Sequence, residues 1–294
     1  MQKHIVTIVA VVGALTAAHP FEGLAQDAAA KARAVLADAR AALGGDETLR
    51  AVKTLQAAGD YRRSMGEMQM EGELELLLET PDKLRRNETI GVPGGATLVR
   101  TEVLNGDEVW EDSSQRGGMG GHMTMVLRGP GGREMDEEQV RQMRRRARRA
   151  DLSRYLLVWL LATDAAVTHA GIAEAPDGKG DVLDVKPAEG SAMRLFIDQQ
   201  THLPLMLTWQ GPPERMMVRR GPGRPNPEQP GRDAASREPP PHATFELRFD
   251  EYRTVDGIRL PHQISRGVNG SVNEEWSVKT YKVNPAFKSN TFTK

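Results

Sequence analysis

The sequence predicts an α+β fold: a single large, strongly curved antiparallel β-sheet, an incomplete β-barrel of about ten to eleven strands, with helices covering its concave face. Three observations predict it. The stretch 67–81, "EMQMEGELELLLETP", alternates between apolar residues and acids or amides, the period of a long strand with one wet face. Further strand-like runs recur in two closely spaced sets, broken by turn residues and by a helical stretch between the sets. The second set has no helix of its own to cover it, so both sets are expected to share one sheet.

The first element is a helix over 27–43. Asp27 caps its start, Val35, Leu36, Ala39, Ala42 and Leu43 recur at helical spacing, and Gly44–Gly45 end it. A second short helix follows over 46–55, "DETLRAVKTL". In the long strand, Met68, Met70, Leu74, Leu76 and Leu78 fall on one face, opposite a row of glutamates. Strands follow at 83–90, 96–104 and 107–112, the last two joined at Asn105–Gly106, a pair that tolerates positive φ and marks a hairpin. Residues 113–135, rich in Gly and Met, read as a flexible insertion. A helix over 136–149 has acids in its first turn and arginines toward its end, matching the helix dipole. Asp151 is expected to cap a separate helix through residue 163, apolar on most sides.

Strands resume at 181–187, 192–198, 203–209, 243–252, 258–265 and 271–283. Between the third and fourth of these, residues 211–241 hold nine of the eighteen prolines and read as a second flexible insertion. The hairpin "EYRTVDGIRLPHQIS" (251–265) turns at Asp256–Gly257, and Pro261 signals a bulge or an edge in its returning strand. His262, directly after that proline, is expected to be a turn residue.

The N-terminus has its own logic. Lys3 precedes an apolar run from Ile5 to Ala18, and small residues at Gly23 and Ala25 suit cleavage after Ala25. Residues 1–25 therefore read as a secretory signal peptide, and the rest as a soluble periplasmic protein. With no cysteine in the chain, there is no lipid-anchoring residue and no disulfide. The formal net charge of −1 gives no reason to expect nucleic acid as a partner.

Catalytic signatures are missing. There is no nucleophile elbow, phosphate-binding loop or zinc-protease motif. The glycine clusters at 117–121 and 129–132 do not sit between a strand and a helix. His122, His169, His202, His242 and His262 are scattered singly, without the paired spacing of metal ligands. The glutamate row 67–79 is a wet strand face, and aromatics at 5% are too sparse for a sugar-binding cleft. No catalytic residue, metal or cofactor is expected, and the chain reads as non-enzymatic. Six arginines in the nine residues 141–149 form the one strong charge feature. On a solvated helix they would do nothing specific; alternatively they meet anionic lipid or a partner's acidic patch.

Several stretches resemble the lipoprotein-localisation (LolA/LolB-like) superfamily of exported bacterial proteins. They are "LGGDETLRAVKTLQAAG", "MEGELELLLETPDKLRRNE", "NGDEVWED", "LFIDQQTHLPLMLTW" and "FDEYRTVDGIRLPHQIS", in the family's order. The resemblance implies one half-barrel domain over 26–294, with helices as a lid over a hydrophobic cavity and a lipophilic small molecule or an acylated protein as cargo. The expected function is thus an exported carrier or sensor for an acyl chain or lipoprotein-like cargo. Its cavity candidates are Met70, Leu74, Leu76, Leu78, Leu84 and Trp110 on the sheet, with Leu156, Leu157 and Leu160 closing over them. The alternative is a periplasmic interaction module that docks an envelope partner through the Pro-rich segment and Arg144, Arg145, Arg148 and Arg149.

Overall fold

A computed structural model of the chain describes residues 21–66, 68–92, 95–116, 136–161, 165–176, 178–187, 191–211 and 242–294. Helix α1 (Phe21–Leu43) and the short α2 (Asp46–Ala51) lead into strands β1 (Thr54–Met65), β2 (Met68–Glu79), β3 (Lys83–Val92), β4 (Ala96–Asn105) and β5 (Glu108–Arg116). Helix α3 (Glu137–Val158) follows, then β6 (Ala166–Ala175), β7 (Gly178–Lys186), β8 (Met193–Asp198), β9 (Pro204–Gly211), β10 (Ala243–Val255), β11 (Ile258–Val268) and β12 (Ser271–Val283). The twelve strands form one sheet in the order β5-β4-β3-β2-β1-β12-β11-β10-β9-β8-β7-β6. Each neighbouring pair is antiparallel. Strands β5 and β6 are the two edges and do not pair, so the sheet is open.

The strand count exceeds the expected ten to eleven because β1 and β6 were not anticipated. Both are rich in Ala and Gly, which blurs the alternation of bulky residues that betrays a strand. The second helix is correspondingly shorter than the expected 46–55. It stops at Ala51, Val52 is already extended, and Thr54 begins pairing with β2. The small residues of β1 and β2 have a packing reason. A Cβ on Gly72 would lie 1.9 Å from the Thr89 carbonyl oxygen, so the backbones of β2 and β3 close up there. Residues 113–116, expected in a flexible insertion, instead complete β5; the remainder of that insertion lies outside the described residues. The Pro-rich segment after Gly211, the last residue of β9, also lies outside them.

The hairpin turns follow the chemistry of their residues. Asp256–Gly257 has φ of 48° and 83°, and Asn269–Gly270 has 51° and 83°, both pairs left-handed as a tight two-residue hairpin requires. Between β4 and β5, Asn105 pairs with Glu108, so Gly106–Asp107 form the turn, one residue later than the Asn-Gly pair suggested. Gly44 ends α1 at φ 136°, and a Cβ there would stand 2.3 Å from the Gly257 carbonyl oxygen. The helix end therefore seats directly on the β10–β11 turn, and only glycine fits the contact.

Curvature follows from what α3 touches. Its backbone packs against β3, β4 and β5 on one flank and β9 on the other, while its contacts with the strands between are slighter. A helix that meets two flanks of a sheet more closely than the middle bridges a concavity. Helices α1 and α3 share one buried cluster with this concave face, including Ala32 and Ala39 of α1 at 0% exposure. The small α1 residues let that helix lie close to β6 and β11. On the convex face a smaller cluster joins Leu77, Val103 and Phe292, with Trp110 and Phe287 packed against it. Arg85 Nη1 donates to the Thr291 carbonyl at 2.6 Å and pins the C-terminal segment there.

Candidate functional site

The site is built around α3. Its N-terminus carries a capping box: Gln139 N–H donates to Asp136 Oδ1 at 2.8 Å, and the Gln139 side-chain oxygen accepts from Asp136 N–H at 3.3 Å. From there one continuous helix runs to Val158, where two helices divided at Asp151 had been expected. Asp151 lies inside it and accepts from Arg148 Nη1 and Arg154 Nη1, each at 2.8 Å, so its carboxylate serves side chains of its own helix and caps nothing. Helix ending is achieved without glycine. Leu160, at φ 51°, donates to the Leu157 carbonyl, and Leu161 N–H reaches back to the Leu156 carbonyl at 2.9 Å.

The arginines hold the helix to its own sheet. Arg148 Nη2 donates to Glu102 at 2.7 Å, Arg144 lies 3.2 Å from Glu111, and Arg145 and Arg149 both reach Asp107. The charge run that had suggested a docking surface is thus largely engaged inside the molecule. Downstream the helix turns apolar, and Leu152, Tyr155, Leu156, Leu157 and Val158 are buried. An aromatic chain ties this end to the sheet floor. Tyr155 stacks on Trp159 at 5.4 Å, Trp159 meets the edge of Tyr281 at 6.4 Å, and Tyr281 meets His262 at 5.2 Å.

Strand register explains the floor. Leu78, Leu84, Leu104 and Val109 form one cross-strand row, and the next row on the same face reads Leu76, Arg86, Glu102 and Glu111. The concave face therefore changes from apolar to charged along its length. Arg86 lies 2.5 Å from Glu88, Arg63 lies 2.9 Å from Glu274, and Tyr61 Oη accepts from Arg86 at 3.3 Å. Burial alone would raise the Glu88 carboxyl, but Arg86 and Arg63 beside it outweigh that and hold it below the ordinary glutamate range. Glu274 is lowered in the same way, its burial outweighed chiefly by Arg86 and Arg63. For Glu102 burial wins over Arg148 and Arg100, and its carboxyl is raised.

Between α3 and this floor lies a cleft of about 40 Å³. Its upper wall is Arg154 and Tyr155, and its lower wall includes Trp209, Leu247, Ile264 and Trp276. The Arg154 guanidinium lies 4.0 Å from the centroid of the Trp209 ring. Its Nε atom and the Trp276 Nε1 are both buried without a hydrogen-bond partner. The space holds about three waters and no acyl chain as it stands.

Of the expected cavity residues, Met70, Leu74, Leu76, Leu78, Leu84, Leu156, Leu157 and Leu160 all fall in the one buried concave cluster, and Leu74 borders the cleft. Trp110 does not join them. It pairs with Val103, one residue out of phase with Leu104, and so packs on the convex face. Met68 is also a departure from the expected apolar face, 47% exposed at the start of β2. His262, expected in a turn, sits within β11 and is 8% exposed; its Nδ1–H donates to the Val278 carbonyl at 2.8 Å. His169 faces Asp181 at 2.7 Å. Sequence reasoning overlooked Arg154, Trp209 and Trp276. Period two along β9 and β12 puts both tryptophans on the inner face, and Arg154 lies one helical turn after Asp151.

No protein-family model matches the chain, and no curated protein sequence matches it. The chain is similar to the solved structure of a LolA superfamily protein from Nitrosomonas europaea, at 11% identity and a TM-score of 0.49, over 90% of this chain and 97% of that one. It is also similar to an outer membrane lipoprotein-sorting protein domain from Vibrio parahaemolyticus, at 11% identity and a TM-score of 0.44, over 90% and 97% of the two chains. A DUF1329 family protein from Desulfovibrio piger gives 10% identity and a TM-score of 0.44, over 89% and 96%.

Proposed function

We propose that the chain is an exported, non-enzymatic carrier or sensor that takes an acyl chain, or the acyl part of a modified protein, between α3 and the concave face of its sheet. One observation carries the reading: a single helix, apolar on its underside from Leu152 to Val158, bridges an open, curved sheet whose inner face carries a large apolar cluster. The signal-like N-terminus and the resemblance of several stretches to lipoprotein-localisation proteins support the same reading. A ligand pocket for such a molecule measures roughly 300 Å³ or more. The present cleft of about 40 Å³ is therefore a closed state, and a ligand enters by lifting α3.

The exchange is energetically reasonable. Lifting the helix uncovers Leu152, Tyr155 and Leu156 on its side and Leu247, Ile264 and Trp276 on the sheet. A chain lying in their place recovers about 0.8 kcal/mol for each methylene it buries. Ten to twelve methylenes would thus contribute on the order of 8–10 kcal/mol against the cost of displacing the lid.

The test is direct. Protein exported with its own N-terminus should release a fatty acid or acyl lipid in native mass spectrometry, and after delipidation should take up a fluorescent fatty acid at micromolar concentration. Delipidated, folded protein that takes up none would sink the proposal.

A further inference from the structure

The arginines of the cleft under α3 are met by carboxylates of the protein itself. Arg86 lies 2.5 Å from Glu88, Arg154 donates to Asp151 at 2.8 Å, and Arg266 stands opposite Glu274 in strand register. Tyr61 accepts from Arg86 and donates to Glu274. What the lining lacks is acceptors. Among its described residues, two buried polar atoms have no hydrogen-bond partner, Trp276 Nε1 and Arg154 Nε. Both are N–H donors, and no acceptor of the lining is buried and unpaired.

Trp276 is the better placed of the two. Its side chain is 3% exposed, stands between Tyr61 and Ile264 in one cross-strand row of the floor, and forms part of the lower wall. With the helix down, neither the protein nor solvent satisfies its indole N–H, which is a standing cost to the closed state. Beside it the wall is apolar through Leu74, Ile264 and Leu247.

We infer that the ligand carries its acyl chain as an ester, whose neutral carbonyl oxygen accepts from Trp276 Nε1–H while the chain lies along Leu74, Ile264 and Leu247. The inference rests on the carrier reading and adds the linkage that holds the chain. An ester carbonyl brings lone pairs and no donor, the complement of a wall with donors to spare. An alcohol brings an O–H that no buried lining acceptor is free to meet. A free carboxylate enters beside Asp151 and Glu274, where the arginines are already engaged, and stays uncompensated.

Isothermal titration calorimetry of the delipidated full chain separates these cases with three probes: monododecanoylglycerol, its ether analogue O-dodecylglycerol, and dodecanoate. The ester and the ether differ only in a carbonyl where the other has a methylene. The ester should bind about fivefold or more tightly than the ether, the fold-change of one neutral hydrogen bond from a buried donor, and more tightly than dodecanoate. Trp276→Phe keeps an aromatic ring and removes the N–H; it should bring the ester down to the ether and leave the ether as it was. The indole N–H resonance of Trp276 in isotope-labelled protein reads the same bond without substitution. The ester should shift it downfield relative to the ether, and equal shifts would count against the bond. An ether that binds the unsubstituted protein as tightly as the ester would overturn the inference, as would dodecanoate binding more tightly than both. Trp276→Phe weakening ester and ether alike would reduce the ring to a packing role, and an ester preference that survives it would put the carbonyl elsewhere; either result overturns the assignment. Chains that bind without regard to linkage sink this inference alone; if none of the three binds, the carrier proposal falls and takes this one with it.

Discussion

Glu88, Glu102 and Glu274 are all buried on the concave side of the sheet, yet their neighbours push them in different directions. Glu88 and Glu274 are held below the ordinary glutamate range by adjacent arginines, whereas burial lifts Glu102 above it. The first two therefore stabilise the fold above the ordinary range and lose that contribution as pH falls through their lowered values. Glu102 acts in the opposite sense: its contribution is present at low pH and is lost as pH rises through its raised value. Below about 4.5 Glu102 is largely protonated in both states and adds little slope, so stability should fall there as Glu88 and Glu274 take up their protons. Glu88→Gln should lower stability at neutral pH and flatten that acid slope, read from urea midpoints between neutral pH and about pH 3. An unchanged slope would mean that the fold does not lower the Glu88 carboxyl from its unfolded value. Single residues were the least legible part of the sequence. His262 follows a proline and reads as a turn, but it lies within β11 and its ring Nδ1–H donates to the Val278 carbonyl of the neighbouring strand. A local dipeptide cannot show that a strand sixteen positions later needs a donor.

At the scale of elements, α3 shows how one misplaced boundary changes a functional reading. Asp151 looked like a cap because acids often begin helices. The same carboxylate satisfies Arg148 and Arg154 at spacings of three, which is equally a pattern of a helix interior. Joining the two halves puts the arginine run and the apolar run on a single rod, so the charged part anchors what the apolar part covers. The two kinds of anchor differ in strength. Arg149 pairs with Asp107, whose side chain is 75% exposed, and such a pair contributes about 0–1 kcal/mol. Arg148 reaches the buried Glu102, so Arg148→Leu should cost about 1–3 kcal/mol in urea unfolding, less than the loss of a sole buried partner because Arg100 stays within 2.5 Å of Glu102. If Arg149→Leu proved the more damaging of the two, the charged row would not be what holds the helix. Strands β2 and β10–β12 were readable because bulky residues alternate there. Strands β1 and β6 were not, because their alanines and glycines leave little alternation of bulky residues to read; in β1, Gly59 answers instead to a neighbouring backbone, since a Cβ there would stand 2.0 Å from the Ser277 carbonyl oxygen.

For the whole molecule, the sheet face assigned from period two in β2 was largely legible, and its errors have a common cause. Trp110 was counted among the cavity residues of the sheet, whereas register with Val103 turns it outward. The small size of the cleft was not legible at all, since it depends on how far a helix sinks into a curved sheet. The lid reading makes a prediction at this scale. Saturating the delipidated protein with a bound acyl ligand should speed amide exchange along α3 while the central strands β1, β2 and β12 keep their protection, measured by hydrogen exchange with mass spectrometry. Faster exchange throughout the sheet would indicate general loosening in place of a lid. Among the described residues, no helix is long and apolar enough to cross a membrane.

The middle of the sheet is where the first strand meets the last: Leu55 of β1 lies opposite Val283 of β12. Each half, β1–β5 and β6–β12, is a meander that zips up from neighbours in sequence, but the seam between them cannot close until the final strand exists. Loop closure over nearly the whole chain is slow compared with hairpin formation. During synthesis the two inner edges therefore stand unpaired until the end, each a ready template for another chain. The last strand acts as the clasp of the fold, and a chain cut short before Ser271 would keep two meanders and lose the single sheet they make together.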